Sequence, residues 1–122
     1  WGTGGRWFKS SRPDQNIMNK KLKFFYTTCE NLKQARKLGD ILVKEKIAVC
    51  INIIKNIESI YLDQGEVNRS TEVGLIIKSF ENQKKIEKVI YYHHTYKIPF
   101  ITEIKIGVVG RKYLDWAKDN FK

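Results

Sequence analysis

The chain has 122 residues, 42% of them hydrophobic, which suggests one domain with a substantial core. No run approaches the roughly 18 apolar residues of a membrane-spanning helix, so we expect no membrane partner. The 23 basic and 13 acidic residues give a net charge of +10. The lysines are scattered rather than gathered in one stripe, which weakens the nucleic-acid interpretation that this charge invites.

The first 17 residues differ in character from the rest. They contain three glycines and two tryptophans, show no apolar period and lack the apolar core of a signal peptide. We therefore expect residues 1–17 to be a vector-derived or disordered leader and residues 18–122 to form one domain. Without a secretory signal, Cys29 and Cys50 are typical of reduced thiols, and we expect a cytoplasmic protein.

The first half of the domain predicts a strand, a helix and two long strands. Lys21–Thr28 has the mixed apolar run of a short strand. Residues 31–45 show helical spacing, with Asn31 as a plausible N-cap. Residues 47–61 begin almost continuously apolar, which is typical of a strand covered on both faces. The turn signal LDQGE then leads into a strand over residues 66–79.

The second half predicts a helix, a strand and a terminal helix. Ser79 is a suitable N-cap for a helix over residues 80–92. Residues 98–106 read as a strand whose early Pro99 suits a first position, where no ladder donor is needed. Residues 111–121 have the apolar spacing of a helix.

The order β-α-β-β-α-β plus a final helix indicates an α+β, ferredoxin-like fold. A strand of 15 residues spans about 50 Å, whereas such a domain has a radius of gyration near 13 Å. The central hairpin should therefore extend beyond its core while still carrying Ile57, Ile60, Tyr61 and Val67. Such an apolar ribbon favours burial against further copies of the chain. The alternative is that the strand breaks at KNIES and the tip folds back.

Several segments resemble the CutA family of divalent-cation tolerance proteins. They share order and nearly share spacing with the family motifs, and they are KIAVCINII, SIYLDQGEV, LIIKS, HTYKIP and YLDW. The resemblance spans residues 22–122. It implies a tight trimer of ferredoxin-like protomers joined at their sheet edges, similar in outline to the PII signalling proteins. It also implies a role in tolerance of divalent metals, copper above all, with no established reaction.

The chain departs from the family pattern at several positions. Asp63 replaces a tryptophan in the hairpin, and Lys55-Asn56 replaces Pro-Gly. Thr95 replaces a proline, and Phe100 replaces an acidic residue. The last change weakens any function that depends on that acidic group.

The resemblance implies a copper site made from a first-strand cysteine and a His-His pair. His93 and His94 match the pair, but the cysteine position holds Thr27. Cys29 lies two residues further, and it could substitute only if the backbone there stays extended, which would keep the same strand face with a displacement of about 6.6 Å. A thiolate with two imidazoles suits copper or zinc. Alternatively, the histidines only end a helix, where a cationic or donor ring is favoured, because adjacent side chains rarely point the same way.

A second group of matching positions suggests a ligand cleft between protomers. Lys78, Tyr96 and His94 could hold a small anion there through charge-assisted hydrogen bonds. The protein would then be a trimeric, PII-like sensor or scaffold for a small molecule. The simpler alternative is that these polar groups close the interface between protomers.

Signatures of enzymes are missing from the sequence. GVVGRK has the wrong spacing for a phosphate-binding loop, and no arginine precedes Arg36 in the loop where an acylphosphatase needs one. The third strand lacks the aromatic residues of an RNA-recognition module. We therefore expect binding rather than catalysis, no obligatory cofactor and no nucleic-acid partner. The expected partners are further copies of the chain and a divalent metal or small anion.

Overall fold

The protein is an α+β fold with one four-stranded antiparallel sheet, shown by a computed structural model that describes residues 20–121. Its elements are β1 (Lys23–Cys29), α1 (Leu32–Lys44), β2 (Cys50–Asp63), β3 (Glu66–Ser79), α2 (Gln83–His93), β4 (Ile101–Ile104) and α3 (Arg111–Asn120). The strand order β2-β3-β1-β4 confirms the ferredoxin-like prediction. The expected leader, residues 1–17, lies outside the described residues. None of the three helices is long and apolar enough to cross a bilayer.

The main core lies between the sheet and the two helices α1 and α2. Alternate residues of β1 and β3 point into it, as the period of two in a strand requires. Its largest buried members are Phe25, Leu38, Leu42, Leu75, Ile77, Ile86 and Ile90. The predicted N-cap is confirmed, since the Asn31 side chain accepts a hydrogen bond from the Gln34 amide at 2.8 Å.

The helix α3 packs beside a second, smaller cluster built on Leu22, Phe80 and Ala117. The Lys78 ammonium lies 5.1 Å from the centre of the Tyr113 ring. Because Lys78 points away from the main core, α3 covers one end of the opposite sheet face. The rest of that face carries no helix among the described residues.

Three predicted boundaries were wrong for local reasons. The helix α2 is capped by Asn82, which accepts from the Lys85 amide, because the Ser79 hydroxyl donates instead to the Ile47 carbonyl. The strand β2 begins only at Cys50, since the amides of Ile47 and residue 48 bond back to the carbonyl of residue 42. The strand β4 is limited to four residues, and Pro99 lies in the preceding loop.

The central hairpin is continuous and does not fold back. Its strands pair from Cys50–Lys78 to Asp63–Glu66, with one shift of register between Ile54 and Ile57. Asn56 adopts a φ of 60° there, a conformation that asparagine tolerates better than most residues. The resulting bulge adds one residue to β2, so residues beyond it switch sheet face.

The distal part of the hairpin carries apolar side chains that nothing in the described protomer covers. Leu62 is 72% exposed and Val67 is 66% exposed, and Ile60 and Tyr61 are also exposed. At 14 residues, β2 is about 45 Å long, well beyond the reach of the two helices. The predicted mismatch between hairpin and core is therefore confirmed in the protomer.

Gly74 has no side chain, and the side chains of Ile57 and Tyr26 occupy the space beside it. Adding a Cβ at this position should therefore destabilise the protein. A Cβ at this position would lie 2.7 Å from Ile57 Cδ1 and 3.2 Å from Tyr26 Cε1. We expect Gly74→Ala to lower the free energy of unfolding by about 1–2 kcal/mol through overpacking. Urea denaturation at one fixed protein concentration measures this change.

The double variant Gly74→Ala/Ile57→Val removes the closest clashing methyl group. It should lose less stability than the two single variants do together. Gly107→Ala is the matched control, because nothing lies within 4 Å of a Cβ there. If the losses in the free energy of unfolding from Gly74→Ala and Ile57→Val were strictly additive, this contact would not limit the packing.

Candidate functional site

A carboxylate on β3 joins three segments of the chain. Glu72 accepts hydrogen bonds from the Ser59 hydroxyl through Oε1 and from the Tyr96 hydroxyl through Oε2, the latter at 2.6 Å. Ser59 reaches this side of the sheet because the bulge at Asn56 reverses the alternation of β2. The carboxylate therefore ties the hairpin to the loop that follows α2.

The same loop is held against β1 by the imidazole of His94. Its Nε2 lies 2.7 Å from the Thr28 carbonyl oxygen, and its Nδ1 lies 2.9 Å from the Tyr96 amide nitrogen. A carbonyl can only accept and an amide can only donate, so Nε2 carries the proton and Nδ1 accepts. Both ring nitrogens of His94 are therefore occupied within the protomer.

The hydrogen bonds perturb the two acidic groups of the network in opposite directions. Burial alone would raise the pKa of Glu72, but hydrogen bonds from Ser59, Tyr96 and Thr28 outweigh it and hold that pKa below its usual value. Burial and the bond to Glu72 raise the pKa of the Tyr96 hydroxyl well above its ordinary range. The pair is thus a carboxylate and a neutral phenol at neutral pH.

His93 is the last residue of α2 and is placed differently from its neighbour. Its carbonyl accepts a hydrogen bond from Gln34 Nε2 at 2.9 Å, which fixes the helix end against α1. Its ring meets the Tyr92 ring edge-on, with centroids 4.8 Å apart. No other residue in the described range 20–121 forms a hydrogen bond with its ring nitrogens.

Cys29 is fully buried on the helix-covered side of β1. Burial, with a smaller contribution from the charge of Glu72, raises the pKa of its thiol to about 11. The thiol is therefore protonated at neutral pH, whereas metals bind the thiolate. The predicted set of Cys29, His93 and His94 is not assembled, and residues 20–121 contain no group of three or more His, Cys, Asp or Glu side chains arranged for a metal.

The predicted ligand cleft is only partly assembled within one protomer. The rings of His94 and Tyr96 lie 4.8 Å apart. Lys78, however, lies six residues from Glu72 on β3, about 20 Å away. Its ammonium lies over the rings of Phe24 and residue 113. Lys78 could join Tyr96 and His94 only across a boundary between protomers.

Sequence reasoning missed Glu72 and Ser59, the two members of the network on the hairpin. One signal was available, because Glu72 is the last charged residue before a buried, glycine-containing run in the same strand. A carboxylate at such a boundary needs donors, and hydroxyl groups can supply them. The side on which Ser59 lies depends on the bulge, which the sequence pattern did not predict.

Removing the hydroxyl of Tyr96 should weaken the link between the loop and the hairpin. We expect Tyr96→Phe to lower the free energy of unfolding at neutral pH by about 1 kcal/mol, because the site is partly exposed to water. The depressed pKa of Glu72 implies a stabilising contribution that is present above the ordinary carboxyl pKa of 4.5. That contribution is lost as the pH falls through the lower folded value.

The difference in the free energy of unfolding between wild type and Tyr96→Phe should accordingly shrink in acid. Chemical denaturation across pH 3 to 7 at roughly constant ionic strength measures it. Tyr91→Phe is the matched control, since it removes the same group from an exposed position on α2. A stability difference that does not depend on pH would show that the Glu72 carboxylate is not the partner that matters.

Comparison with known proteins identifies the family. The family model described as CutA1 divalent ion tolerance protein matches residues 23–120. The divalent-cation tolerance protein CutA of Thermus thermophilus is 36% identical over 87 residues, covering 70% of this chain and 84% of that protein. The chloroplastic protein CutA of Arabidopsis thaliana is 33% identical over 96 residues, covering 78% of this chain, which spans about half (53%) of that relative.

A crystal structure of CutA1 from Oryza sativa has the same fold. It superposes with a TM-score of 0.78 at 30% sequence identity, covering 83% of this chain and 94% of that one. The region that the family model matches, residues 23–120, includes every strand and helix described above. The chain therefore belongs to the CutA1 family of divalent ion tolerance proteins.

Proposed function

We propose that the protein is a homotrimeric divalent-cation tolerance protein that acts by binding metal, copper foremost, rather than by catalysing a reaction. The observation that carries this proposal is the uncovered apolar hairpin. Three is the number of copies that the CutA resemblance implies. The family match supplies the link to divalent cations.

A second exposed apolar surface lies on the sheet face that α3 leaves open, opposite the face of the hairpin tip that carries Ile60, Leu62 and Val67. Ile54, Phe100 and Ile104 are exposed on or beside this face, and Tyr26 meets Phe100 edge-on with ring centroids 6.4 Å apart. Exposed apolar surfaces of this kind favour association over exposure to water. The two surfaces lie on different parts of the protomer, which suits a closed ring of copies.

The native mass of the protein should be three times the 14.4 kDa of one chain. Light scattering after size exclusion at micromolar concentration measures it. Because Leu62 and Val67 are the most exposed apolar residues of the hairpin tip, Leu62→Lys/Val67→Lys should shift the assembly toward smaller species.

Val43→Lys is the matched control for that experiment. It adds a charge at an exposed apolar residue on the outer face of α1, away from the hairpin. This variant should retain the native mass. A wild-type protein that runs as a stable single chain at micromolar concentration would contradict the proposed assembly.

Among the sequence-predicted ligands, His93 is the one that the protomer leaves accessible. Its ring is only partly buried, and a neutral imidazole nitrogen is a good ligand for copper. Cys29 would first have to lose a proton inside the core, and His94 would have to give up a hydrogen bond. We therefore propose surface binding centred on His93, with the remaining ligands outside the predicted set.

Copper titration should distinguish His93 from Cys29. We expect His93→Ala to weaken Cu²⁺ binding at least tenfold, because a ligand is lost. Cys29→Ser should leave the affinity unchanged, because the buried thiol is protonated. Isothermal titration calorimetry measures both, with circular dichroism to confirm that each variant is folded.

The reverse pattern would restore the predicted thiolate site. A folded Cys29→Ser variant that loses affinity, beside a His93→Ala variant that keeps it, would show that the core opens to bind copper. His94→Ala is unsuitable here, because it also removes the bonds to Thr28 and Tyr96.

A further inference from the structure

A cavity of about 750 Å³ lies between the start of β1 and the segment that connects β4 to α3. Four basic residues line it, namely Lys20, Lys21, Arg111 and Lys118. None of its described lining residues is acidic. None of the metal-ligand or ligand-cleft residues predicted from the sequence lines this cavity. Neither the hairpin nor the loop after α2 contributes to it.

The positive charge extends beyond this cavity. An adjoining cavity of about 450 Å³ adds Lys23 and Lys105, with Glu103 as its single acidic lining residue. Lys20 lies 3.8 Å from the Glu81 carboxylate, but its side chain is 42% exposed, so that pairing is weak. Concave surfaces lined by charges of one sign concentrate ions of the opposite sign.

The cavity also has an apolar side. Leu22 is a buried member of the second core cluster, and Val109 and Leu114 pack against that cluster from the segment before and within α3. Val108 is fully exposed at the rim. A volume near 750 Å³ lies in the range of small-molecule sites and is too large for a lone phosphate.

We propose that this cavity binds a small organic phosphate, whose charged oxygens contact the basic residues and whose less polar body lies against Leu22 and Leu114. Arg111 and the lysines supply donors for charge-assisted hydrogen bonds to phosphate oxygens. The apolar residues distinguish such a ligand from inorganic phosphate.

This site is separate from the metal-binding surface proposed above. The cavity lies beside the residues that immediately precede β1, whereas His94 contacts Thr28 near the end of that strand. Six residues of extended strand separate Lys23 from Cys29, about 20 Å. Binding of a phosphate ligand here and of copper at His93 can therefore succeed or fail independently.

Calorimetric titration of the full chain with ATP in magnesium-free buffer, pyrophosphate and adenosine tests the proposal. We expect saturable binding of ATP, weaker binding of pyrophosphate and no binding of adenosine. In heteronuclear NMR spectra, ATP should shift the amide signals of Gly107 and Gly110, which border the cavity, and leave that of Gly74 unchanged.

Lys21→Gln/Arg111→Gln should weaken ATP binding at least tenfold. Lys84→Gln/Lys85→Gln is the matched control, since it removes the same charge from exposed positions on α2 and should change the affinity less than twofold. An equal loss in both variants would assign binding to the overall charge of +10 and overturn the site. So would pyrophosphate binding as tight as that of ATP, or no saturable binding at millimolar concentration.

Discussion

The structure depends on a mismatch of length between a hairpin and the core beneath it. The strands β2 and β3 each run for 14 residues, but only the half of β3 from Val73 onward is buried against α1 and α2. A single protomer of this size cannot cover the remainder. Exposed apolar ribbons are liable to associate, so we propose an ordered association with sister chains as the arrangement that covers this one.

One bulge determines what the long hairpin presents on each face. The extra residue at Asn56 reverses the alternation of β2 and so brings Ser59 beside Glu72. The Glu72 carboxylate then holds Tyr96, and Tyr96 shares a loop with His94. His94 is therefore part of a structural network that connects hairpin, loop and first strand, whereas the ring of His93 lies outside that network.

Apolar periodicity predicted the order of elements, the bounds of β3 and the start of α3 at Arg111, because these depend on local pattern. It failed where a side chain formed a hydrogen bond with a distant backbone group. Ser79 was expected to cap α2, but its hydroxyl donates to the Ile47 carbonyl. The ring of His94, a metal ligand implied by the family resemblance, bonds to Thr28 across 66 positions of sequence, and its metal binding stays a prediction. The predicted first strand ended at Thr28, whereas β1 extends to Cys29, and spacing could not show that this residue lies on the face beneath the helices.

The central claim is that other copies of the chain cover the hairpin tip in solution. Amide hydrogen exchange of residues 58–71 tests it most directly, because a lone exposed ribbon opens easily whereas a covered one opens only with the assembly. The account predicts that these amides exchange as slowly as those of β1 in the core. Exchange near the unprotected rate at the tip, with β1 still protected, would contradict it.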